Sequence, residues 1–518
     1  MADQITELKD GDPLAPVTIV VRSNFVSVSS RRVLAARPGG IANVTFVTLR
    51  RFAEHLGAAT LAAAGRRPTS PPLITAAVRA VLKEAPGVFA PVADHPSTEQ
   101  ALAAAHRELR AVPDAALDAV AACSPRAFDV VRIHRSVRER LFNSWYDEED
   151  LLVAAADAVN SGLVSDTGPV IVHLLSEFTS GEAGLVRAFA DRGRLLVNIG
   201  LTGDADADKP VLAAHARAGI DVTQFDPVEL PCAASIVSAS DPDDEVRAAV
   251  RLISDWMQQG IRLGHVAVVY GNADPYARLL QEHLGAAGIP LNGVPVRALR
   301  DMLLGRTLRA LLALPDRGFR RQDVLTVLTD APILDQDEHI PSRAWERLSR
   351  AAGVVSGDDW EERLAFLAAE ERRLADEDDA EGSDLRAERR RRDADRAEAL
   401  AAFVTRLRND LAEGTARRSW AAAVDWAKGL IDSYLGGERR RVRWPQDEQK
   451  AAHRVDEALD RLAGLDALDG PPPTVDIFRR ALDSELEATL RRVGRAGDGV
   501  LVGHVSVAPG LVFDRLAA

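Results

Sequence analysis

Between residues 17 and 57 short apolar runs alternate with amphipathic stretches. Val17-Thr-Ile-Val-Val21 is a compact β-branched run, the pattern of a strand buried on both faces of a parallel sheet. Polar Arg22-Ser23-Asn24 follows at its carboxyl end. A helical pattern then runs over 25–36 and stops at Pro38-Gly-Gly40. Residues 43–47 predict a second strand. Thr48 is placed to cap a helix that continues through Leu49, Phe52 and Leu56 to Gly57.

From 68 to 162 the spacing turns helical, with helices expected over 72–83, 98–110, 124–145 and 148–159 and no strand among them. The alternating pattern returns at Pro169. Strands are expected over 170–175 and 195–199, a helix over 181–191, and a loop from Gly200 to Asp204. A further stretch predicts a strand over 234–238, a helix over 243–259, a strand over 266–270, a helix over 275–287 and a short extended segment near 289–291. Residues 315–484 read as helical. Inside them lies a highly charged segment, 370–396, containing Arg389-Arg390-Arg391-Arg392. It predicts a solvated helix or a mobile segment, with a phosphate-contacting patch as the alternative. Gly470-Pro-Pro-Pro473 marks a rigid break, and the last strand is expected over 499–506. Strands alternating with helices imply an α/β fold with parallel sheets covered on both faces. The order is α/β, helical insert, α/β, then the same again. There is no short-period repeat.

Composition changes this picture little. The 518 residues imply about three or four domains at roughly 150 residues each. Apolar residues make up 47% and charged residues 27%, enough for cores with an ordinary surface. Cys123 and Cys232 are far apart, which points to a reducing compartment and away from a cysteine-based metal site. The polar, acidic opening shows no signal peptide, and no apolar run approaches the roughly 18 residues that span a bilayer. A cytoplasmic protein is expected. The net charge of −13 disfavours a general nucleic-acid coat, since phosphate binding needs local positive charge. The basic residues are nearly all arginine beside abundant alanine, a composition bias that carries no weight for DNA binding.

The element order is similar to that of superfamily 1 helicases of the UvrD/RecB type, whose two RecA-like domains each carry a helical insertion. Individual segments resemble the AddB/RecB-like helicase-nucleases of actinobacteria, a PD-(D/E)XK nuclease family. The stretch from Gly11 to Asn24 resembles the second strand of their first RecA-like domain. That from Arg37 to Leu49 resembles the DNA-contacting motif Ia. Ser238 to Arg247 resembles the entry to the second RecA-like domain. Val268-Val-Tyr270 with Pro275 to Leu279 resembles motif IV, and His504 to Asp514 motif V. The resemblance implies a first RecA-like domain at 13–67 and 165–230 with a helical insertion at 68–164. It implies a second at 231–315 and 491–518 with an insertion at 316–490. It also implies a role in double-strand-break repair and recombination, with single-stranded or end-resected DNA and a helicase-nuclease subunit as partners. The family uses ATP and Mg²⁺, and some members hold a 4Fe-4S cluster.

Departures from that pattern are as informative. An ATP motor needs G-x-x-x-x-G-K-[ST], whose backbone amides and lysine hold the phosphates. This chain has no Gly-Lys dipeptide. The first core strand and its loop are expected to lie before Met1. In Val170-Ile-Val-His-Leu-Leu-Ser-Glu177, Ser176 stands where the metal-binding aspartate belongs and Glu177 alone remains. Asp147-Glu-Glu-Asp150 spells D-E-x-D but opens a helix, where acidic residues favour the helix dipole. The pairs Glu7-x-Lys9 and Glu448-x-Lys450 match a nuclease's [DE]-x-K by chance. The chain is expected to stop before the nuclease domain. No catalytic or metal-binding residue and no cofactor of its own are therefore expected.

Other groups carry paired readings. His173 sits in an apolar strand pattern and reads as a core histidine. Thr202-Gly203-Asp204 fits a nucleotide-touching switch loop or a tight turn, so Glu177, Thr202 and Asp204 stand as remnants of a nucleotide site. Residues 241–245 cap the helix that follows. Tyr270 and Tyr276 fit base-stacking positions or core and rim positions. Arg22, Ser23 and Asn24 end a parallel strand at the edge where such sheets bind ligands, and Thr48 and Arg50 hold the matching position on the next strand. With Tyr270, Tyr276 and Ser506 they form the expected DNA-binding set. The expected function is a helicase-like, DNA-binding portion of a DNA-end-processing protein, without ATPase or nuclease activity. The alternatives are a fragment of an active helicase-exonuclease whose catalytic motifs lie elsewhere, and a non-functional truncated product.

Overall fold

The computed structural model describes residues 1–37, 40–163, 167–220, 222, 235–293, 297–468, 472–487 and 498–518. The chain runs α1 (Ala2–Leu8), β1 (Val17–Val21), α2 (Asn24–Ala35), β2 (Val44–Val47) and α3 (Leu49–Ala63). A mainly helical stretch follows, with β3 (Arg67–Pro68), α4 (Pro71–Glu84), α5 (Pro96–Leu109), α6 (Asp114–Ala121), α7 (Pro125–Phe142), β4 (Trp145–Tyr146) and α8 (Glu148–Asn160). Then come β5 (Val170–His173), α9 (Ser180–Asp191), β6 (Leu195–Asn198), α10 (Ala205–Arg217), α11 (Pro242–Gln258), β7 (Val266–Tyr270), α12 (Tyr276–Ala286) and β8 (Leu291–Gly293). The second helical stretch holds α13 (Leu303–Ala313), α14 (Arg321–Asp330), β9 (Leu334–Asp335), β10 (Glu338–His339), α15 (Ser342–Ala351), α16 (Asp359–Ala380), α17 (Asp384–Ala412), α18 (Trp420–Leu435), α19 (Glu438–Arg441), α20 (Gln446–Ala463) and α21 (Val475–Leu486). Strands β11 (Val500–His504) and β12 (Arg515–Ala517) come last. The chain is thus mostly helical with small, largely parallel sheets, an α/β protein.

The first sheet has the order β2-β1-β5-β6, parallel throughout. Successive side chains of a strand point to opposite faces, and β1 uses both. Val17, Ile19 and Val21 pack with Ile5 of α1, Val26 and Leu34 of α2, and Phe46. Val20 packs into a larger cluster with Phe52 of α3, Leu151 and Leu152 of α8, and Leu185 and Phe189 of α9. Phe52 and Phe189 stack at 5.3 Å. Burial on both faces is why the run lacks polar alternation. The second sheet has the order β12-β7-β11-β8, also parallel. Val266, Val268, Val500 and Val502 face α11 and α12 through Val246, Ile253, Leu280 and Leu284.

Two compact units emerge. One comprises Met1–Thr69, Ala77–Val296 and Arg491–Ala518; the other comprises Ser70–Ala76 and Arg297–Leu490. The first holds both sheets. The second is helical and centres on aromatic packing: Trp345 lies 5.2 Å from Phe403, which meets Tyr434 edge-on at 5.8 Å. In it α16 and α17 form a long hairpin. Ala368 and Ala375 on α16 and Ala387 and Ala394 on α17, each pair seven residues apart, are fully buried in its seam.

Several expectations need correction. The 68–162 region holds a strand after all: β3 pairs in parallel with β4, so the helix expected over 124–145 ends at Phe142. Residues 235–238 form no strand; they are exposed, and neither Ile236 nor Val237 enters a core. Helices α1, α6 and α10 escaped the reading because each is short or buries few apolar side chains. Of the forms expected for 370–396, the solvated helix is the one observed, as the two arms of the hairpin. The break at Pro38-Gly39, Cys232, Ala234 and the break at Gly470-Pro471 lie outside the described residues.

Lys9 shows how α1 is fixed. It is buried, and its ammonium donates to the carbonyls of Pro13 and Ala42, each at 2.9 Å, and to that of Ala15. This accounts for the Glu7-x-Lys9 match without chemistry. Lys9→Met is expected to leave three carbonyls without their donor and to lower stability by about 2 kcal/mol. Chemical denaturation checks this, and an unchanged midpoint refutes it.

Candidate functional site

The first sheet's order sets its ligand edge. The chain leaves β1 toward β2 on one side and returns to β5 on the other, so connections diverge above β1 and β5. Open parallel sheets bind ligands in the crevice at such a point, outside the carboxyl ends of the strands. A cleft of about 390 Å³ lies there, lined among others by Arg22, Thr48, Arg50, Ser176, Glu177 and Glu182. The structure therefore gathers residues that the sequence separates by more than a hundred positions.

Local chemistry prepares this edge. Ser23 caps α2, its Oγ accepting from the Val26 amide at 3.4 Å, with Asn24 opening the helix. Thr48 caps α3 in the same way, through the Arg51 amide at 3.4 Å. A capping hydroxyl uses a lone pair, so both keep an O–H to donate. Arg50 is exposed and, among the described residues, held only by Glu54, 3.4 Å away on its own helix. Across the cleft, Arg22 Nη1 donates to Ser176 Oγ at 3.0 Å, and its other nitrogen lies 3.6 Å from Glu177. Thr179 and Glu182 form a reciprocal capping box on α9. Glu182 is pushed above the usual carboxylate range, mainly by burial and further by the charges of Glu148, Glu149 and Glu177. Glu149 also accepts from the Gly181 amide at 2.9 Å.

Ser176 and Glu177, the positions where a metal-binding pair was sought, both face the Arg22 guanidinium. Thr202 and Asp204 do not line the cleft. The buried Asp208 carboxylate accepts from the Thr202 amide (2.7 Å), the Thr202 hydroxyl (2.9 Å) and the Gly203 amide (2.9 Å), and these bonds hold it below its ordinary range. Asp204 caps α10 through the Asp206 and Ala207 amides. Both groups are engaged in a turn, with Gly203 at φ +85°.

The remaining candidates lie on the second sheet. Tyr270 ends β7 opposite His504 of β11, their rings 6.5 Å apart. Ser506 Oγ is 2.8 Å from His504 Nδ1. Tyr276 stands apart from this edge: its hydroxyl donates to Glu245 at 2.6 Å and its ring packs on the sheet's core. The loop after β11 brings Gly510, at φ +85°, against the first sheet; a Cβ there would lie 3.3 Å from Val26 and 3.5 Å from Leu174. The two carboxyl edges meet at this loop.

Other motifs resolve into local structure. Asp147 and Asp150 form a capping box on α8. Arg110 pairs with both, and Arg66 reaches Asp150 at 2.7 Å. Glu448 accepts from the Leu303 amide at 2.8 Å and so caps α13. His173 is partly buried, 3.4 Å from the Asn198 amide, and burial pushes its pKa down. Asp241 caps α11. Sequence reasoning overlooked Glu182 at the cleft, although Thr179-x-x-Glu182 is a legible capping-box signature. Arg22's hold on Ser176 had no sequence signal. No family model and no curated protein matches this chain.

Proposed function

We propose that this chain is the helicase-like, strand-binding portion of a DNA-end-processing protein of the AddB/RecB type. Its two parallel sheets act as RecA-like halves that hold single-stranded DNA along their carboxyl edges, while a partner motor or nuclease supplies the chemistry. The observation that supports this most is the first cleft, whose lining includes Thr48 and the exposed Arg50 guanidinium; Ser23, outside that lining, caps the neighbouring strand-to-helix turn. Hydroxyls and arginine are the groups that contact phosphate oxygens. Tyr270, beside His504 and Ser506, offers a ring for stacking on the second edge. The Arg22 contact with Ser176 and Glu177 supports a binding role without ATP hydrolysis.

The test is a salt series of single-stranded oligonucleotide binding, read as the slope of log affinity against log salt. The full chain is expected to bind at low salt and to weaken steeply. Arg50→Ala is expected to flatten the slope by about 0.7, the share of one phosphate on a single strand. A folded chain that binds no strand at low salt refutes the reading. ATP binding at the first cleft would favour an active motor instead.

A further inference from the structure

The four consecutive arginines at 389–392 are sorted by helix geometry into two kinds. Arg390 and Arg391 turn to the facing helix of the hairpin. Arg390 donates to Asp378 at 2.7 Å and to Glu371 at 3.1 Å; Arg391 pairs with Asp379 and lies 3.7 Å from Asp376. Arg389 and Arg392 are exposed, as is Arg386, and none of the three has a carboxylate partner among the described residues. Glu388, one turn before Arg392, forms no ion pair with it.

Residues 386, 389, 392 and 396 are spaced by three, three and four, so they share one stripe of α17 at steps of roughly 4.5–6 Å. The stripe continues onto α15. Asp393 of α17, largely buried, is shared by Arg347 of α15 at 2.6 Å and by Arg396 at 3.8 Å. Arg347, Arg386, Arg389, Arg392 and Arg396 therefore stand against one engaged carboxylate, in a chain whose net charge is −13. Elsewhere on this hairpin arginines are neutralised in pairs, as Arg372 is by Glu398 and Asp395. Like charges spaced this way repel one another, and a polyanion relieves that repulsion.

We propose that this arginine stripe is a second contact for the phosphodiester backbone of nucleic acid; it rests on the strand-binding reading above. A strand carries one negative charge per roughly 3.4 Å, dense enough to engage each guanidinium, and arginine meets phosphate through paired N–H groups. An anionic membrane fits less well. A helix lying on a membrane needs an apolar face, and the apolar face of α17 is buried in the hairpin seam, leaving Leu385 as the exposed apolar residue beside the stripe.

The experiment compares the full chain with R386A/R389A/R392A and R386K/R389K/R392K in the salt series, using a single-stranded oligonucleotide, its duplex and phosphatidylserine vesicles. Melting curves confirm that each variant folds. The alanine variant is expected to flatten the single-strand slope by about 2, roughly 0.7 for each phosphate no longer engaged. The lysine variant keeps the slope. An alanine variant with wild-type slope and affinity, while Arg50→Ala flattens the slope, overturns the stripe alone. Flattening by the stripe variant with no effect of Arg50→Ala overturns the cleft reading and leaves the stripe standing. A chain that binds neither strand nor duplex overturns both. Loss of vesicle binding with DNA binding intact overturns the stripe's assignment to nucleic acid.

Discussion

Replacing Gly57 with valine is expected to lower the stability of the sheet-bearing unit by about 3 kcal/mol or more. Gly57 is buried midway along α3, where it faces α8. A Cβ there would lie 2.8 Å from the Ala155 nitrogen and 2.9 Å from the Leu151 oxygen. Both are backbone atoms of a helix that cannot swing aside as a side chain does. The helices would have to part, opening the packing of Phe52, Leu151 and Ala155 in the same cluster. Gly184 in α9 is the control: a Cβ there meets nothing within 4 Å, so Gly184→Ala is expected to stabilise by about 0.5–1 kcal/mol through helix propensity. Denaturant unfolding of both variants decides the matter. A Gly57→Val midpoint equal to that of the parent would show that α3 and α8 do not cross this closely.

The same unit is expected to lose stability as the pH falls from 6.5 toward 4. His106 on α5 and His134 on α7 are 3% and 2% exposed, and their rings lie 4.7 Å apart. Burial lowers both to about 4. His134 and Arg110 add to the effect on His106, and Arg110 and Arg138 to that on His134. Asp147 opposes it at His106 but is itself committed to Arg110. In the unfolded chain each ring titrates near 6.5. Between those values the unfolded state binds more protons, so stability falls as the pH falls, by up to about 3 kcal/mol for each ring. Asp147 acts at lower pH. Burial would raise its pKa, but the hydrogen bonds and charge of Arg110 outweigh that and hold it below its ordinary value. Its contribution is present above its unfolded pKa and lost as the pH drops through the depressed folded one. Melting temperature measured from pH 7.5 to 4.5 should decline through the histidine window, and H106L/H134F should flatten that decline. The replacement also removes two buried Nδ1 atoms that have no hydrogen-bond partner among the described residues, so the variant should be no less stable at pH 7. An equal decline in parent and variant would assign the acid sensitivity to other groups.

Much of the architecture was legible in the sequence. Strand β7 matches its expected span, β1 is the β-branched run at 17–21, and β2, β5, β6 and β11 fall within a few residues of theirs. The central strands β1 and β5 are buried almost throughout because both faces of a parallel strand are covered, and that requirement is written locally. Caps were equally legible: Thr48, Asp147 and Asp241 each bond an amide within three residues. The capping geometry at Asp147-Glu-Glu-Asp150 and Glu448 likewise accounts for motifs that mimic metal chemistry.

What sequence order could not decide is every fact that depends on a distant partner. Arg22 and Ser176 are 154 positions apart, and only the order β2-β1-β5-β6 brings them to hydrogen-bonding distance. Gly57 costs a helix about 1 kcal/mol relative to alanine, an isolated fault until α8 is seen lying against it. The identical arginines of 389–392 differ only in which side of α17 they occupy, and the position of α16 decides which are neutralised. Periodicity and caps are set by neighbours within a few residues, so they survive in the sequence alone. Clefts, close helix crossings and unpaired charges are set by which surfaces meet, and chain order does not encode that directly.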